Sequence, residues 1–232
     1  FSEDAEAKPV TIEGNATLTQ SVDDQTGILT VRLSDIASDV TVSFNGYYLW
    51  MTVTHEVTDI STTTMIYNYG TVERIKMDGV EIGTDKKYQF QSTGEHVMKL
   101  AFKNNITVPT NLFYNIRTIT SAVIPEGYKY IGNWAFLGCF KLKKVSLPST
   151  LESLSYQVFE RSGIESAILP DGCQMSYGVF GGCTSLTYAR LPSDITEIPS
   201  GTFSGCTKLA QFDMPPGVTA IGGSAFEATA LE

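Results

Sequence analysis

The sequence predicts a mainly β protein in which an N-terminal β-sandwich is followed by a short solenoid of stacked coils. Two observations predict this fold: a unit of about 23 residues repeats through the second half of the chain, and short alternating apolar runs fill the first half. The 232 residues are 42% hydrophobic and 18% charged, so the chain can bury an apolar core without disulfides.

The repeat is marked by phenylalanines and prolines that share one period. Successive phenylalanines are separated by 23, 23, 21, 23 and 23 residues, and each repeat proline precedes its phenylalanine by 10 or 11 positions. A unit this short cannot bury its own apolar residues, so we expect neighbouring coils to stack around a shared core. The phenylalanines are Phe113, Phe136, Phe159, Phe180, Phe203 and Phe226, and the prolines that precede the last five are Pro125, Pro148, Pro170, Pro192 and Pro215.

Each coil is predicted to contribute one short strand to a parallel sheet. Apolar and polar residues alternate towards Leu147, and the run ends at Pro148, which has no N–H to donate to a neighbouring strand. In stacked coils the outward residues of these strands lie side by side. We therefore expect a shallow face that a partner can contact.

The second half resembles the BspA-type leucine-rich repeat, whose units read Ile-Pro-x-x-Val-x-x-Ile-Gly-x-x-Ala-Phe-x-x-Cys-x-x-Leu. The resemblance covers about residues 97–232. It implies a leucine-rich-repeat solenoid of about six coils with parallel strands. The coil that fits best contains Ile124-Pro125, Tyr128, Ile131-Gly132, Ala135-Phe136, Cys139 and Leu142.

Some coils depart from the repeat. Ser162 stands where other coils have cysteine, and the segment 171–175 is one residue short, so we expect a local irregularity there. The coil around Phe113 has Ile116 at the cysteine position. Such a modified unit suits a terminal coil that caps the core, and we expect this capping coil to start near residue 97.

Seven or eight short alternating runs precede the repeats, and turn residues separate nearly all of them. Asp78-Gly79 lies between two runs and predicts a hairpin, because a type I′ turn needs a positive φ at both central residues. Strands at this spacing predict an immunoglobulin-like β-sandwich. The predicted organisation is an acidic spacer at 1–8, the sandwich at 9–103 and the solenoid at 104–232.

Acidic residues outnumber basic ones by 25 to 16, which gives a net charge of −9. This balance argues against nucleic acid as a partner, because that binding rests on neutralising phosphates. The longest apolar runs fall well short of the ~20 residues of a membrane-spanning helix, so no transmembrane segment is predicted in this chain. We interpret the polar, acidic segment after Phe1 as a spacer left when a targeting segment was removed or when the chain was trimmed. The first of these origins implies export, which we expect.

The four cysteines are predicted to be buried free thiols. Cys139, Cys183 and Cys206 share one inward position of the repeat. Cys173 takes a position that is apolar in other coils, and free cysteine behaves as a small hydrophobic residue. No cysteine pair has the short spacing of a zinc site, and we expect no metal and no cofactor.

No catalytic residue is predicted. His55 and His96 are the only histidines and both lie in predicted strands, while Asp59 stands where a zinc-protease helix needs its second histidine. The sequence contains no Gly-x-Ser-x-Gly motif. Several carboxylates follow the repeat prolines, and we interpret them as a solvated rim rather than an acid/base pair. They are Glu126, Glu152, Asp171 and Asp194.

The outward residues of the solenoid strands form the predicted binding surface. Tyr188 and Arg190 belong to the residue types that dominate interface energies, and apolar residues such as Ile168 stand where solvent is expected. The candidate residues are Val123, Lys144, Ile168, Tyr188, Arg190, Gln211 and Asp213. For stacking on a sugar ring, the candidates are Trp134 and Trp50.

The resemblance implies a protein displayed on a bacterial surface. We expect it to be exported and then either attached to the outer membrane, through a lipid anchor upstream of this chain, or secreted. Some proteins of the resembled family are adhesins, so we expect non-catalytic adhesion to an extracellular protein of the host matrix or of a cell surface. The alternative is an accessory protein that binds glycans through exposed aromatic residues. A third alternative is a hydrolase with an unrecognised carboxylate pair.

Overall fold

The computed structural model describes residues 5–7, 11–13, 17–22, 29–34, 41–43, 47–66, 71–84, 87–104 and 106–232. Within these residues all the regular elements are β-strands, and no helix is long and apolar enough to cross a membrane. The chain divides into two compact units, residues 1–50 and residues 51–232. Antiparallel strands make up the described part of the first unit and the beginning of the second, and the solenoid occupies the remainder of the second unit.

In the described part of the first unit, six strands pair antiparallel. The pairs are nested in sequence, as along one long hairpin, because β3 pairs with β4, β2 with β5 and β1 with β6. The predicted immunoglobulin-like sandwich falls partly outside the described residues and stays a prediction. The strands are β1 (Ala5–Ala7), β2 (Thr11–Glu13), β3 (Thr17–Val22), β4 (Leu29–Ser34), β5 (Thr41–Ser43) and β6 (Tyr47–Leu49).

Six more strands lie in the described residues between 51 and 102, at the beginning of the second unit. The hairpin predicted at Asp78-Gly79 is confirmed: β9 and β10 pair antiparallel, and the two turn residues have φ values of 51° and 81°. The strands are β7 (Met51–Val57), β8 (Thr63–Met65), β9 (Val72–Met77), β10 (Val80–Ile82), β11 (Lys87–Gln89) and β12 (Gly94–Phe102).

The solenoid follows with two short strands in each full coil rather than the single strand predicted. The additional strand contains the apolar residue that precedes the phenylalanine turn, as Ile131 does, and it pairs parallel with its equivalents in neighbouring coils. About five turns are formed over residues 107–221. The strands are β13 (Thr107–Val108), β14 (Ile119–Val123), β15 (Tyr130–Ile131), β16 (Lys144–Ser146), β17 (Ser153–Leu154), β18 (Ser166–Ile168), β19 (Gln174–Met175), β20 (Tyr188–Arg190), β21 (Glu197–Ile198), β22 (Gln211–Phe212) and β23 (Ala220–Ile221).

One sheet joins the antiparallel strands to the solenoid. Its order is β10-β9-β12-β7-β14-β16, and β7 pairs antiparallel with β14, the first long strand of the solenoid. Next to it, β14 and β16 pair parallel. The sheet therefore runs across positions 103 and 104, where the sequence predicts a boundary between domains.

The core of the solenoid is built around the repeat phenylalanines. Their ring centroids are 5.4–5.7 Å apart from one coil to the next, and the first five rings are at most 1% exposed. Backbone hydrogen bonds also join neighbouring coils: the N–H of Phe136 donates to the carbonyl of Val158 in the next coil at 2.9 Å. Each coil therefore depends on its neighbours for both apolar and hydrogen-bonding contacts.

The repeat cysteines lie against this stack and are buried, as predicted. The Sγ atoms of Cys139, Cys183 and Cys206 each donate to the carbonyl of the phenylalanine in the preceding coil, at 3.0–3.1 Å. Burial raises the pKa of the Cys139 thiol to about 12 and that of Cys183 to about 11. These thiols fill the core and are not nucleophiles.

The turn around each phenylalanine contains two positions with a positive φ, two residues before and two residues after the ring. A non-glycine residue there costs about 1–2 kcal/mol, yet several coils carry side chains at both positions. The earlier position holds Asn111, Trp134, Gln157, Gly178, Gly201 and Ser224, and the later one holds Asn115, Gly138, Arg161, Gly182, Gly205 and Ala228. We call the surface formed by these turns the turn edge.

Candidate binding surfaces

The predicted binding residues lie on one side of the solenoid strands, which we call the strand face. Strand register places Tyr188 beside Gln211 and Ile168 beside Arg190. Ile168 is 56% exposed, Arg190 and Gln211 are exposed, and Tyr188 is half-buried. Asp213 follows β22 and is also exposed. The structure therefore brings these five residues together.

The other two candidates lie on the neighbouring sheet. Val123 is 39% exposed on β14, and Lys144 is exposed on β16. β16 and β18 belong to different sheets, and just before these strands the N–H of Glu165 donates to the carbonyl of Lys143 at 3.2 Å. The strand face is thus divided into two parts, in the region where departures from the repeat predict an irregularity.

Sequence reasoning did not find that the strand face extends onto the antiparallel strands. Thr52 and Thr54 of β7 pair with Val123 and Ser121 of β14, and both threonines are half-buried. Beyond them, Lys99 of β12 pairs with Thr52. The available signal in the sequence was the alternation of apolar and polar residues at the start of Met51–Val57, because it marks a strand with one face towards the core.

The carboxylates that follow the repeat prolines form hydrogen bonds between coils. Glu126 accepts hydrogen bonds from the N–H of Ser149 at 2.8 Å and from its hydroxyl at 2.9 Å, and these bonds hold the pKa of the carboxyl below its usual value. Asp171 accepts from the N–H of Ser193 in the same way, at 2.8 Å, with the same effect on its pKa. These groups are occupied in joining neighbouring coils.

Two further carboxylates of this series also contact neighbouring coils. Glu152 accepts from the Lys129 ammonium at 2.7 Å and from the Tyr130 hydroxyl at 2.8 Å, which lowers the pKa of its carboxyl. Asp194 accepts from the N–H of Gly172 at 2.9 Å. The solvated rim predicted from the sequence is therefore also an inter-coil hydrogen-bonding system.

The two histidines lie opposite each other on β7 and β12. His55 is fully buried, and its Nδ1 is 2.9 Å from the Thr118 hydroxyl; burial, followed by the charge of His96, lowers its pKa to about 3. The Nδ1 atom of His96 is 2.8 Å from the Asp78 carboxylate, and this bond raises the pKa of His96. In the part of the chain that the structure describes, no three His, Cys, Asp or Glu residues form a group that could hold a metal ion.

The two tryptophans have different environments. Trp50 is only 3% exposed, so its indole has no face open to a sugar ring, which corrects the expectation for this residue. Trp134 is 36% exposed and has a φ of 56°, and its indole N–H donates to the Gln157 side-chain oxygen at 2.9 Å. The sequence alone did not show that the ring of Trp50 is buried and that of Trp134 is partly exposed.

The family model for the BspA type Leucine rich repeat region matches residues 106–232 in six copies. The comparison with curated proteins finds no match. Among solved structures, the chain is similar to the T. pallidum leucine rich repeat protein TpLRR, with 24% identity and a TM-score of 0.41. That alignment covers 50% of this chain and 66% of TpLRR.

Two other solved structures are similar at lower identity. A leucine-rich repeat protein from Bacteroides ovatus has 18% identity and a TM-score of 0.45, over 93% of this chain and 56% of that one. The pneumococcal vaccine antigen PcpA has 19% identity and a TM-score of 0.39, over 54% of this chain and 39% of that one. This chain thus spans two thirds or less of each of these proteins.

The matched residues 106–232 contain the six repeated phenylalanines and the coils built around them. They include the coil around Phe113, whose ring packs against that of Phe136 at 5.7 Å although its sequence departs from the repeat. Because the family model covers more than half of the 232 residues, the chain belongs to the BspA-type leucine-rich repeat family.

Proposed function

We propose that this protein is a non-catalytic bacterial surface protein that adheres to an extracellular protein through the strand face. The observation that carries the proposal is the juxtaposition of Ile168 with Arg190 and of Tyr188 with Gln211 on adjacent parallel strands. An exposed apolar side chain beside an arginine and a tyrosine is the composition of an interface hot spot. The extracellular partner is a host matrix protein or a protein of another cell's surface.

Membership of the BspA-type leucine-rich repeat family supports display on the surface. In this proposal the protein is exported and is either secreted or held at the outer membrane by a lipid anchor upstream of this chain. The N-terminal region, predicted as an immunoglobulin-like domain over residues 9–103, acts as a spacer. Its strand β7 also adds area to the strand face through its pairing with β14.

The charges of the strand face favour a protein partner of mixed polarity. Lys144 and Arg190 are basic, Asp213 is acidic, and apolar Val123 and Ile168 lie beside polar neighbours. A surface of this kind resembles the core and rim of a protein interface more than a uniformly charged site for a polyanion.

The test is binding of the full chain to immobilised matrix glycoproteins and cell-surface proteins at physiological salt. We expect saturable binding that weakens by about tenfold or more in the double variant Tyr188→Ala with Arg190→Ala, since hot-spot residues contribute most of an interface's energy. The matched control is Thr207→Ala with Lys208→Ala, which removes one charge from an exposed turn. The proposal is contradicted if the wild-type chain binds none of these proteins, or if both double variants bind like the wild type.

Glycan binding is the second candidate function, and the exposed indole of Trp134 favours it. An aromatic ring that is held by a hydrogen bond and partly open to solvent can stack on a sugar. We expect polysaccharide to quench tryptophan emission in the wild type but not in Trp134→Phe. Equal quenching in the two proteins would exclude Trp134 as the stacking residue.

A further inference from the structure

A groove of about 590 Å³ runs along the turn edge, away from the strand face. The groove begins at the coil of Phe159, after which glycine replaces larger residues at both positive-φ positions of the turn. Gln157 and Arg161 occupy these positions in the coil of Phe159, whereas the next two coils have glycine at both. The volume lies in the range of ligand pockets in proteins.

The near wall of the groove is a set of polar side chains that hold one another in place. Glu160 accepts a hydrogen bond from the Gln157 amide and lies 3.6 Å from the Arg161 guanidinium. Gln157 in turn accepts the hydrogen bond from the Trp134 indole. Hydrogen bonds therefore hold the Gln157 and Glu160 side chains of this wall in place.

An aromatic ring forms one side of the groove. Tyr177 is 51% exposed, and its ring extends over the next coil at Gly201, where a Cβ atom would lie only 3.2 Å from the ring. Glycine at this position is what allows the ring to lie against the backbone. The far end of the groove is lined by Ser224 and Glu227.

The charges of the lining argue against a strongly charged ligand. Its charged residues are Glu160, Arg161 and Glu227, and the first two are paired with each other. Glu160 and Glu227 are three coils apart, which corresponds to about 14 Å at the usual strand spacing. This is too far for both to bind one metal ion, and it exceeds the roughly 9.5 Å upper limit for a glycosidase carboxylate pair.

We propose that this groove binds a neutral oligosaccharide without cleaving it. Tyr177 supplies an aromatic face for the C–H surface of a sugar ring, and Gln157, Glu160 and Ser200 supply hydrogen-bond donors and acceptors for its hydroxyl groups. The inference goes beyond the adhesion proposed above, because it concerns a different surface. It deepens the second candidate function, glycan binding, by placing the glycan in the groove beside Tyr177, and the Gly181→Gln variant tests this placement separately from the Trp134 indole. It uses none of the residues of the strand face.

The experiment is calorimetric titration of the full chain with six neutral hexasaccharides: cellohexaose, maltohexaose, laminarihexaose, xylohexaose, mannohexaose and chitohexaose. Hexagalacturonate and hexalysine are the anionic and cationic comparison probes. We expect at least one neutral hexasaccharide to bind saturably and to perturb the emission of Trp134, which contacts the Gln157 side chain.

Two variants test the location of the site. Tyr177→Ala removes the aromatic face and is expected to weaken the binding by about tenfold. Gly181→Gln fills the groove, and it is compatible with the fold because Gly181 has no positive φ and a Cβ atom there meets its neighbours at 3.5–3.7 Å, ordinary contact distances. We expect Gly181→Gln to abolish binding while the melting temperature stays close to that of the wild type.

The control is the strand-face double variant Tyr188→Ala with Arg190→Ala, which is expected to bind the saccharide like the wild type. The inference is overturned if no neutral hexasaccharide binds, if only the charged probes bind, or if folded Gly181→Gln binds like the wild type. A loss of protein adhesion in the strand-face variant alone leaves the saccharide site supported, so the two proposals fail separately.

Discussion

The two histidines of this protein have pKa values that shift in opposite directions, because their surroundings differ. His55, on β7, is fully buried, and its Nε2 atom has no hydrogen-bond partner in the structure. A proton on Nε2 would therefore be buried without a hydrogen-bond acceptor. His96 lies beside the Asp78 carboxylate, which stabilises its protonated form. Their pKa values therefore shift in opposite directions.

Acid is expected to destabilise the protein through His55. Its pKa falls from 6.5 to about 3 on folding, so between these values the unfolded chain binds a proton that the folded chain does not. The free energy of unfolding is expected to fall by about 2 kcal/mol between pH 7 and pH 5 from this group. Urea unfolding at the two pH values should show a smaller decrease in His55→Gln than in the wild type.

His96 provides the comparison, because its effect has the opposite sign. Its pKa is raised on folding, so its stabilising contribution is present below pH 6.5 and is lost as the pH rises through the folded value. His96→Gln should therefore increase the loss of stability on acidification. An identical pH dependence in His55→Gln and the wild type would contradict the buried, neutral state of His55.

At the scale of the structural element, the coil is defined by its ring, its thiol and its two turn positions. The ring of Phe159 packs between Phe136 and Phe180, with centroid distances of 5.4 and 5.7 Å. The Cys183 thiol donates to the carbonyl of the same phenylalanine. Each repeated residue type thus has a contact in a neighbouring coil, which is why the period appears in the sequence.

Removing one ring from the stack should destabilise the whole solenoid. Phe159→Ala is expected to lower the free energy of unfolding by about 3–5 kcal/mol, because it leaves a cavity between two coils. Phe140→Ala is the control, since this ring is 52% exposed and lies outside the stack. Urea denaturation measures both variants, and equal stability of the two would contradict the role of the stack.

On the scale of the whole molecule, the solenoid could be predicted because its information is local and repeated. Phenylalanine, proline and cysteine recur at one period, and the hairpin at Asp78-Gly79 has a two-residue signature. The joining of β7 to β14 could not be predicted in this way. It pairs His55 with Ile119, and local alternation shows that each segment is a strand without showing which strand is its partner.

The candidate site was predicted less completely than the fold. The strand face followed from the repeat, because stacking aligns equivalent positions such as Ile168 and Arg190. The turn groove was missed because it depends on backbone conformation at Gly201 and on how the Tyr177 side chain lies over it. A sequence shows that glycine replaces larger residues at these positions, but it does not show the volume that results.

The continuous sheet predicts that residues 51–232 unfold together. Val53 on β7 is fully buried and pairs with Ala122 of the solenoid. Val53→Ala is expected to lower the free energy of unfolding by about 1–3 kcal/mol. In a Trp50→Phe background, the emission of Trp134 should report the same shift as far-ultraviolet circular dichroism. An unchanged unfolding transition in the Trp134 emission would show that the stability of the coils does not depend on β7.

The measurement that tests the central claim most directly is oxidative footprinting of side chains in the complex with the matrix or cell-surface protein that binds most tightly. The strand face is the binding surface in this account, so Tyr188 and Ile168 should become protected when the partner is bound. Tyr156, which is 53% exposed on the turn edge, is the internal control and should keep its reactivity. Protection of Tyr156 with unchanged oxidation of Tyr188 and Ile168 would contradict the account.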